Sequence, residues 1–89
     1  MGLPVPTREE IFERLKKLLV EEFDLRDEQV VPAAQLAADL DLDSVDWIDM
    51  AVALEVDTGL ELLEEDLSAI RTIRDVVDVL HGKLTAAQP

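Results

Sequence analysis

The strongest constraint on the fold is a helix start in the middle of the chain. Asp43 is a good N-cap, because its carboxylate can accept a hydrogen bond from a backbone N–H that has no helical partner. Asp46, three residues later, is the acidic partner expected in a capping-box-like pair. Ser44 is then the first helical residue, and its side chain points out of the end of the helix. We therefore predict that Ser44 is exposed and is a site of covalent attachment.

The helix that follows, over residues 44 to 58, carries two apolar stripes when about 100° is allowed for each residue. One stripe consists of Trp47, Met50, Ala51, Leu54 and Thr58. The other consists of Val45, Ile48, Val52 and Val56, with the carboxylates of Asp49 and Glu55 among or beside them. A small domain can bury one stripe. The second is either more core, in a helix buried nearly all round, or a surface for a partner.

A helix and a long loop are predicted before this central helix. Thr7 and Glu10 form a capping box, and apolar residues recur at helical spacing over residues 8 to 23. Residues 24 to 43 then form one connection, with a short helical turn expected near residues 33 to 37. A connection this long in so small a domain tends to be functional.

Two helices are predicted after Gly59, which is well placed to cap the central helix. Residues 64 to 70 make one or two turns, and Thr72 with Asp75 begins a last helix that Gly82 is expected to stop. The predicted fold is all-α: a small antiparallel four-helix bundle with three main helices, one short helix and a long first loop. The expected divisions are a disordered tail over residues 1–6, one domain over residues 7–84 and a loose tail over residues 85–89.

Charge and composition narrow the classes of function. The net charge is −13, and the span from Asp27 to Ile70 holds thirteen acids and no lysine or arginine. Such a surface repels nucleic acid phosphates and anionic lipid, and it attracts basic protein patches. The absence of cysteine excludes disulfides and thiolate metal sites. Because no segment has the length of a membrane span and the N-terminus lacks a basic–apolar signal peptide, we expect a cytoplasmic protein. We also expect a monomer that binds no nucleic acid and does not insert into a membrane.

Catalysis by the chain itself is not expected. Ser44 has no resident base, since the only histidine is His81 near the other end of the chain, and no Gly-x-Ser-x-Gly turn is present. The acidic run that ends at Asp43 resembles the start of a calcium loop. However, Ser44 and Met50 stand where that loop requires glycine and a bidentate glutamate. We therefore expect neither a catalytic site nor a dedicated metal site, which leaves a serine that another enzyme modifies.

Around this serine the sequence resembles the prosthetic-group site of acyl carrier proteins. The segment reads Asp39-Leu40-Asp41-Leu42-Asp43-Ser44-Val45-Asp46. The family core is usually Asp-Ser-Leu-Asp or Asp-Ser-Val-Asp after an Asp-Leu-Gly-x lead-in, and the likeness covers nearly the whole chain. It implies that Ser44, between Asp43 and the nearby Asp46, carries 4′-phosphopantetheine placed there from coenzyme A by a separate phosphopantetheinyl transferase. The thiol of that arm would hold acyl groups as thioesters.

The resemblance also implies roles for the two stripes. The positions that match the family's partner-docking residues are Val45, Ile48, Asp49, Val52 and Glu55. Those that match residues lining its acyl pocket are Leu36, Met50, Ala51, Leu54, Leu62 and Ile70, and we expect Trp47 at the mouth of that pocket. The implied partners are the transferase, an acyl-loading enzyme, ketosynthases and reductases, which would meet the acidic surface through basic patches.

Three departures from the family pattern bear on the pathway. Asp41 replaces the usual lead-in glycine, and Val56 stands where a docking acid is common. Trp47 and Thr58 stand where a small polar residue and a large aromatic are usual, so we expect Trp47 to replace part of the bulk lost at Thr58. These departures favour a specialised bacterial carrier of the polyketide or aryl-polyene type over housekeeping fatty-acid synthesis. Two alternatives stay open: a peptidyl or D-alanyl carrier, which shares the Ser44 chemistry, and an unmodified acidic helical interaction module.

Overall fold

Four α-helices make up the described part of the chain, residues 6–86 of a computed structural model. They are α1 (Arg8–Phe23), α2 (Ser44–Thr58), α3 (Glu64–Ala69) and α4 (Ile73–Ala86). Within this range no strand is formed and no helix is long and apolar enough to cross a membrane. The predicted all-α fold of three main helices and one short helix is confirmed. The expected tails lie outside the described residues over positions 1–5 and 87–89.

Capping residues mark the start of α1 and the C-terminal ends of α1 and α2. At the start of α1, Thr7 Oγ1 accepts the N–H of Glu10 at 3.2 Å, and the Glu10 carboxylate accepts the N–H of Thr7 at 3.4 Å. The C-caps that follow α1 and α2 are Asp24 and Gly59, both in the left-handed conformation with φ of 56° and 74°. Gly59 also donates its N–H to the carbonyl of Glu55 at 2.8 Å, which satisfies one of the free carbonyls at the end of α2.

One aliphatic core joins the three long helices to the first loop. The helices supply Ile11, Leu15, Leu19, Met50, Ala51, Leu54, Ile73, Val76, Val77 and Leu80. The loop supplies Val30, Ala34, Leu36, Leu40 and Leu42. Each large side chain of this kind stabilises the fold by about 1.5–3 kcal/mol when it is fully buried. α3 contributes no buried residue, so the fold depends mainly on α1, α2, α4 and the loop.

The long loop is fixed to the start of α4 by backbone hydrogen bonds. Leu36 donates its N–H to the carbonyl of Arg71 at 2.9 Å, and Ile73 donates its N–H to the carbonyl of Ala34 at 3.0 Å. An isolated antiparallel β-bridge also pairs Gln35 of the loop with Thr72, the residue directly before α4. These bonds and the buried leucines of the loop hold the approach to Ser44 in place.

Two local predictions need correction. The short helical turn expected near residues 33 to 37 lies slightly later, where Asp39 donates its N–H to the carbonyl of Gln35 at 2.9 Å, and a 3₁₀ turn lies earlier in the loop, over Asp27–Gln29. The predicted stop at Gly82 is wrong, because α4 continues through it to Ala86. Leu84, beyond the glycine, is half-buried against the core, and this packing offsets the cost of about 1 kcal/mol that glycine imposes inside a helix. Residues 85 and 86 of the expected loose tail are therefore helical.

Gly82→Ala is expected to raise the free energy of unfolding by about 0.5–1 kcal/mol, because alanine loses less backbone freedom in a helix. The added methyl group would have no atom within 4 Å. Gly59→Ala is the matched control: it also has room, but its φ of +74° strains an L-residue, so it should lower stability by about 1 kcal/mol. Urea unfolding of both variants measures the difference. Equal midpoints for the two variants would contradict the assignment of the helix end.

The acidic span from Asp27 to Ile70 predicts that the melting temperature of the protein rises with salt concentration. Within residues 6–86, cations pair with three of its thirteen acids, namely Glu28, Asp57 and Asp66. The other carboxylates repel one another through a partly screened field. Moderate sodium chloride or millimolar magnesium should therefore raise the melting temperature above its value at low salt. Calorimetry over an ionic-strength series tests this, and a flat series would show that the repulsion is unimportant.

The pKa of Asp75 at the start of α4 predicts a pH-dependent contribution to stability. Burial raises this pKa, but hydrogen bonds from the N–H groups of Arg71 and Thr72, both at 3.0 Å, and from the Thr72 side chain outweigh burial and lower it. A lowered carboxyl pKa stabilises the fold above the unfolded value of about 3.9, and the contribution is lost as the pH falls through the folded value. Asp75→Asn should therefore cost about 1 kcal/mol near neutral pH. That deficit should shrink in acid.

Urea unfolding at neutral and acidic pH measures this effect. Glu65→Gln removes an exposed carboxylate from α3 and serves as the control, with little expected change at either pH. A deficit for Asp75→Asn that is the same at both pH values would show that the charge of Asp75 does not stabilise the helix start.

Candidate functional site

The opening turn of α2 presents Ser44 outward. Asp43 Oδ1 accepts the N–H of Asp46 at 3.0 Å, and Asp46 Oδ2 accepts the N–H of Asp43 at 3.1 Å. This reciprocal pair is the predicted capping box. Ser44 is the first residue of α2 and is exposed. The prediction of an exposed serine at a helix start is therefore confirmed.

The lead-in to Ser44 is held by two buried leucines on either side of an exposed acid. Leu40 and Leu42 belong to the core, and Leu42 donates its N–H to the carbonyl of Leu36 at 2.9 Å. Asp41 lies between them with φ of 55°, in the left-handed region. Glycine adopts this conformation freely and aspartate tolerates it better than most residues. The backbone conformation thus explains why a glycine is usual at this position and why an aspartate can replace it.

The two apolar stripes of α2 have opposite environments. Met50 and Leu54, from the first stripe, are 0% and 2% exposed. Val45 and Val56, from the second, are 62% and 82% exposed. The alternative of a helix buried nearly all round is therefore wrong, and the second stripe is a surface.

The second stripe of α2 forms an exposed apolar surface, and carboxylates lie beside it. We define the α2 face as Val45, Ile48, Asp49, Val52 and Glu55. Ile48 and Val52 are 57% and 55% exposed, Asp49 is exposed and Glu55 is half-buried. Among residues 6–86, no lysine or arginine forms an ion pair with either carboxylate of this face. An exposed aliphatic strip with unpaired acids suits a partner that offers an apolar patch bordered by basic side chains.

The six residues predicted to line an acyl pocket lie together inside the fold. They are Leu36, Met50, Ala51, Leu54, Leu62 and Ile70, and all belong to the buried core cluster. Four of the six, Leu36, Met50, Leu54 and Ile70, are at most 2% exposed. The structure thus brings these residues together behind α2, as one apolar interior.

Trp47 lies between this interior and the surface. Its side chain is half-buried against the core, and it lines a hollow of about 320 Å³ together with Gln35, Ala37, Ser68, Ile70 and Arg71. The idea that Trp47 replaces bulk lost at Thr58 is wrong, because eleven residues of helix place the two about 16 Å apart along the axis. Thr58 instead adjoins a small cavity of about 20 Å³ near Leu80.

Two polar residues of the hollow were not anticipated from the sequence. Gln35 belongs to the loop and Arg71 to the segment before α4, and the β-bridge and backbone bonds of this region bring them together. The signal that was available is that Arg71 is the first cation after the long acidic span. No group of histidine, cysteine or acidic side chains in the described range is arranged to hold a metal ion.

Comparison of the sequence with known proteins finds relatives that all belong to one kind of protein. The family model described as a phosphopantetheine attachment site matches residues 13–80. An acyl carrier protein of Coprothermobacter proteolyticus is 38% identical over 77 residues, which cover 86% of this chain and 94% of the relative. An acyl carrier protein of Thermosynechococcus vestitus is 35% identical and covers 86% of this chain and 95% of its own length.

A solved structure agrees with the sequence relatives. The crystal structure of an acyl carrier protein from Thermotoga maritima superposes with a TM-score of 0.81 at 25% sequence identity. The match covers 91% of this chain and 94% of that one. The likeness therefore extends to the whole helical arrangement and is not confined to the segment around the serine.

Proposed function

Since the chain belongs to the acyl carrier proteins, which bear a covalently attached 4′-phosphopantetheine, we propose that Ser44 is the residue that carries this arm. The observation that carries the proposal is the exposed position of Ser44 as the first residue of a capped helix. The other serine, Ser68, lies within the short helix α3 and donates its hydroxyl to the carbonyl of Glu64 at 3.0 Å. Ser44 is therefore the serine best placed to enter another enzyme's active site.

The opening turn of α2 suits a phosphodiester on Ser44. The first N–H groups of a helix and the positive end of its dipole stabilise an adjacent anion. Asp43 and Asp46 hold this turn through their reciprocal bonds, without using the serine. The helix end thus favours a phosphate on Ser44, while the adjacent carboxylates of Asp43 and Asp46 repel its charge and favour an arm that extends away from the turn.

Attachment requires chemistry that this chain does not supply. The bond that forms joins Ser44 Oγ to the pantetheine-bearing phosphorus of coenzyme A, and the bond from that phosphorus to the rest of coenzyme A breaks. The serine proton must pass to a base of the transferase, because the only histidine of the chain is His81 on α4. When attached, the arm supplies a thiol for thioester formation, in a chain that has no cysteine. A thiol that must stay free favours the reducing cytoplasm as the place of action.

The α2 face is the docking surface in this proposal. A phosphopantetheinyl transferase, an acyl-loading enzyme, ketosynthases and reductases would each contact it through basic patches, and these contacts should weaken with salt. The support is the exposure of Ile48 and Val52 beside the carboxylates of Asp49 and Glu55. Asp43 and Asp46, next to the serine, extend the same negative field to the attachment point.

We propose that the carrier serves fatty-acid or polyketide-type synthesis, and that it is a specialised carrier, for example of the aryl-polyene type. The support is that Val56 is 82% exposed at a position where an acid is common in fatty-acid carriers, so a different partner set is expected. Loading assays separate this from the peptidyl and D-alanyl alternatives. Efficient charging by an adenylating enzyme with an amino acid, and none with malonyl or acyl groups, would favour those alternatives.

Intact-mass measurement tests the attachment itself. Purified protein is incubated with coenzyme A, magnesium and a broad-specificity transferase, and peptide mapping then locates the added group. The expected result is one phosphopantetheinyl group per chain on the peptide that contains Ser44. A chain that gains no mass would instead support the unmodified interaction module.

A further inference from the structure

A groove of about 740 Å³ runs between α1 and α2, and we call it the α1–α2 groove. Its apolar lining comes from Leu18 of α1 and from Ala53 and Val56 of α2. Leu18 and Ala53 are half-buried, whereas Val56 is 82% exposed, more than any other large aliphatic side chain in residues 6–86. The described part of the chain thus leaves an apolar recess open beside α2, and such a recess is a candidate contact site for another protein.

Both walls of the α1–α2 groove are fixed. Arg14 of α1 and Asp57 of α2 line it, and Arg14 Nη2 lies 2.9 Å from Asp57 Oδ2. An exposed ion pair of this kind adds little stability, so the main anchors are the buried leucines of the same helices, Leu15, Leu19 and Leu54. A partner that enters a groove with fixed walls orders few side chains of the carrier, which lowers the entropic cost of binding.

The charges around the groove continue the negative field of the α2 face. Apart from the ion pair, the charged residues of its lining are Lys17, Glu21 and Glu22. All three are exposed, and within residues 6–86 none of them forms an ion pair. Two carboxylates outweigh one ammonium group, so the partner chemistry that matches this groove is an apolar side chain next to a lysine or arginine.

The groove also extends the α2 face, which is too small to be a whole interface. Val56 follows Val52 by four residues, so the two are neighbours on one side of α2. The face spans about 15 Å of a helix about 10 Å wide and offers on the order of 200 Å². Each partner in a standard interface buries about 800 Å². A partner that docks on the α2 face must therefore also cover a neighbouring element.

The structure favours α1 over α3 as that element. The hollow at the start of α3 has one large apolar side chain, Leu63, among the polar residues Glu64, Glu65 and Ser68. Because α3 has no buried residue of its own, that side is held less firmly. The α1–α2 groove offers three apolar residues between two helices that are both anchored in the core.

We propose that the phosphopantetheinyl transferase that modifies Ser44 inserts an apolar side chain into the α1–α2 groove, between Leu18 and Val56, with a lysine or arginine beside it that faces Glu21 and Glu22. This inference rests on the proposed attachment at Ser44 and on docking at the α2 face. Val56 follows Ser44 by twelve residues, which is about 18 Å along the helix axis, and a standard interface is about 30 Å across. One enzyme can therefore reach the serine and the groove together.

Steady-state kinetics with apo protein, coenzyme A and a purified broad-specificity transferase tests the proposal. Val56→Ala should lower kcat/KM about fivefold, because it removes apolar area that the partner covers. Ala53→Leu should also lower it severalfold, because the longer side chain fills the groove; an enzyme that only rests on an apolar surface would gain instead. Val31→Ala, the same change at a 45% exposed valine of the first loop, should leave kcat/KM unchanged. Melting temperatures verify that each variant is folded.

Charge reversal tests the second part of the proposal. Glu21→Lys should lower kcat/KM severalfold at low salt and less at high salt, because it places a cation beside the partner's own cation. Glu13→Lys, on the same helix but outside the groove, makes the same change in net charge and should have little effect. Equal losses for the two variants would overturn the charge contact at the groove.

Alkylation tests the contact directly, since the chain has no cysteine of its own. In Val56→Cys protein, saturating transferase without coenzyme A should slow the reaction of the introduced thiol with iodoacetamide severalfold, as measured from the mass of the carrier. The thiol of Val31→Cys protein should react at the same rate with and without the enzyme.

Failure of this inference is distinguishable from failure of the proposed function. If Ser44 gains no arm, the attachment proposal fails first. If Ile48→Ala slows the transferase while Val56→Ala and Ala53→Leu do not, and the Val56→Cys thiol stays unprotected, docking on the α2 face stands and the inference about the groove is overturned. A loss found for Leu63→Ala and for neither groove variant would place the rest of the interface on α3 and would overturn the inference as well.

Discussion

Ser44→Ala is expected to abolish the addition of phosphopantetheine, since the variant lacks the oxygen that must bond to phosphorus. The loss should be complete within the detection limit of intact-mass measurement. The variant should fold normally, because alanine is the best helix former and the cap between Asp43 and Asp46 does not involve the serine. Circular dichroism and the melting temperature verify that the loss is chemical.

Ser68→Ala is the matched control for this prediction. Ser44 and Ser68 are the two serines of the chain, and the control removes the same hydroxyl from a different helix. It should accept one arm as efficiently as the wild-type protein. Added mass on Ser44→Ala, or its loss from Ser68→Ala alone, would assign the attachment to a different residue.

Substitutions on the α2 face should slow modification and later acyl transfer without changing the fold. Ile48→Ala removes an exposed aliphatic side chain whose full burial against a partner is worth about 1.5–3 kcal/mol, so kcat/KM for the transferase should fall about tenfold or more. Asp49→Lys reverses a charge at the side of the same strip, and its effect should be larger at low salt than at high salt. Steady-state kinetics over a salt series measures both effects.

Glu13→Lys is the matched control for the charge change. Glu13 is an exposed acid on α1, outside the α2 face, and the substitution alters the net charge by the same amount as Asp49→Lys. Its kcat/KM should stay close to the wild-type value. A loss as large as that of Asp49→Lys would mean that net charge alone steers the partner, and an Ile48→Ala variant with full activity would exclude an apolar contact at this point.

Local patterns predict most of the helical fold. The capping pairs at Thr7 and Asp43, and the stop at Gly59, were readable because each depends on residues a few positions apart. Helical periodicity predicts the two stripes of α2, but it does not predict which of the two faces the core. That choice depends on what α1 and α4 bury, which periodicity within one helix cannot show.

The features that escaped prediction depend on contacts between distant parts of the chain. α4 runs past Gly82 because Leu84 has a place on the core, and the glycine alone indicated a stop. Gln35 and Arg71 meet at the hollow because the first loop pairs with the start of α4. The buried indole N–H of Trp47 also lacks an acceptor because of its surroundings. The sequence near Trp47 therefore does not predict this feature.

The short helix α3 has a consequence for how the molecule opens. It has six residues and none of them is buried, so it cannot be stable apart from its neighbours. A cap at Leu63, an ion pair from Lys83 to Asp66 at 2.8 Å and the half-buried side chain of Leu67 hold it in place. Local unfolding of α3 therefore requires less free energy than opening a long helix. We therefore expect α3 to unfold locally before the long helices do, which would expose part of the apolar core while α1, α2 and α4 stay assembled.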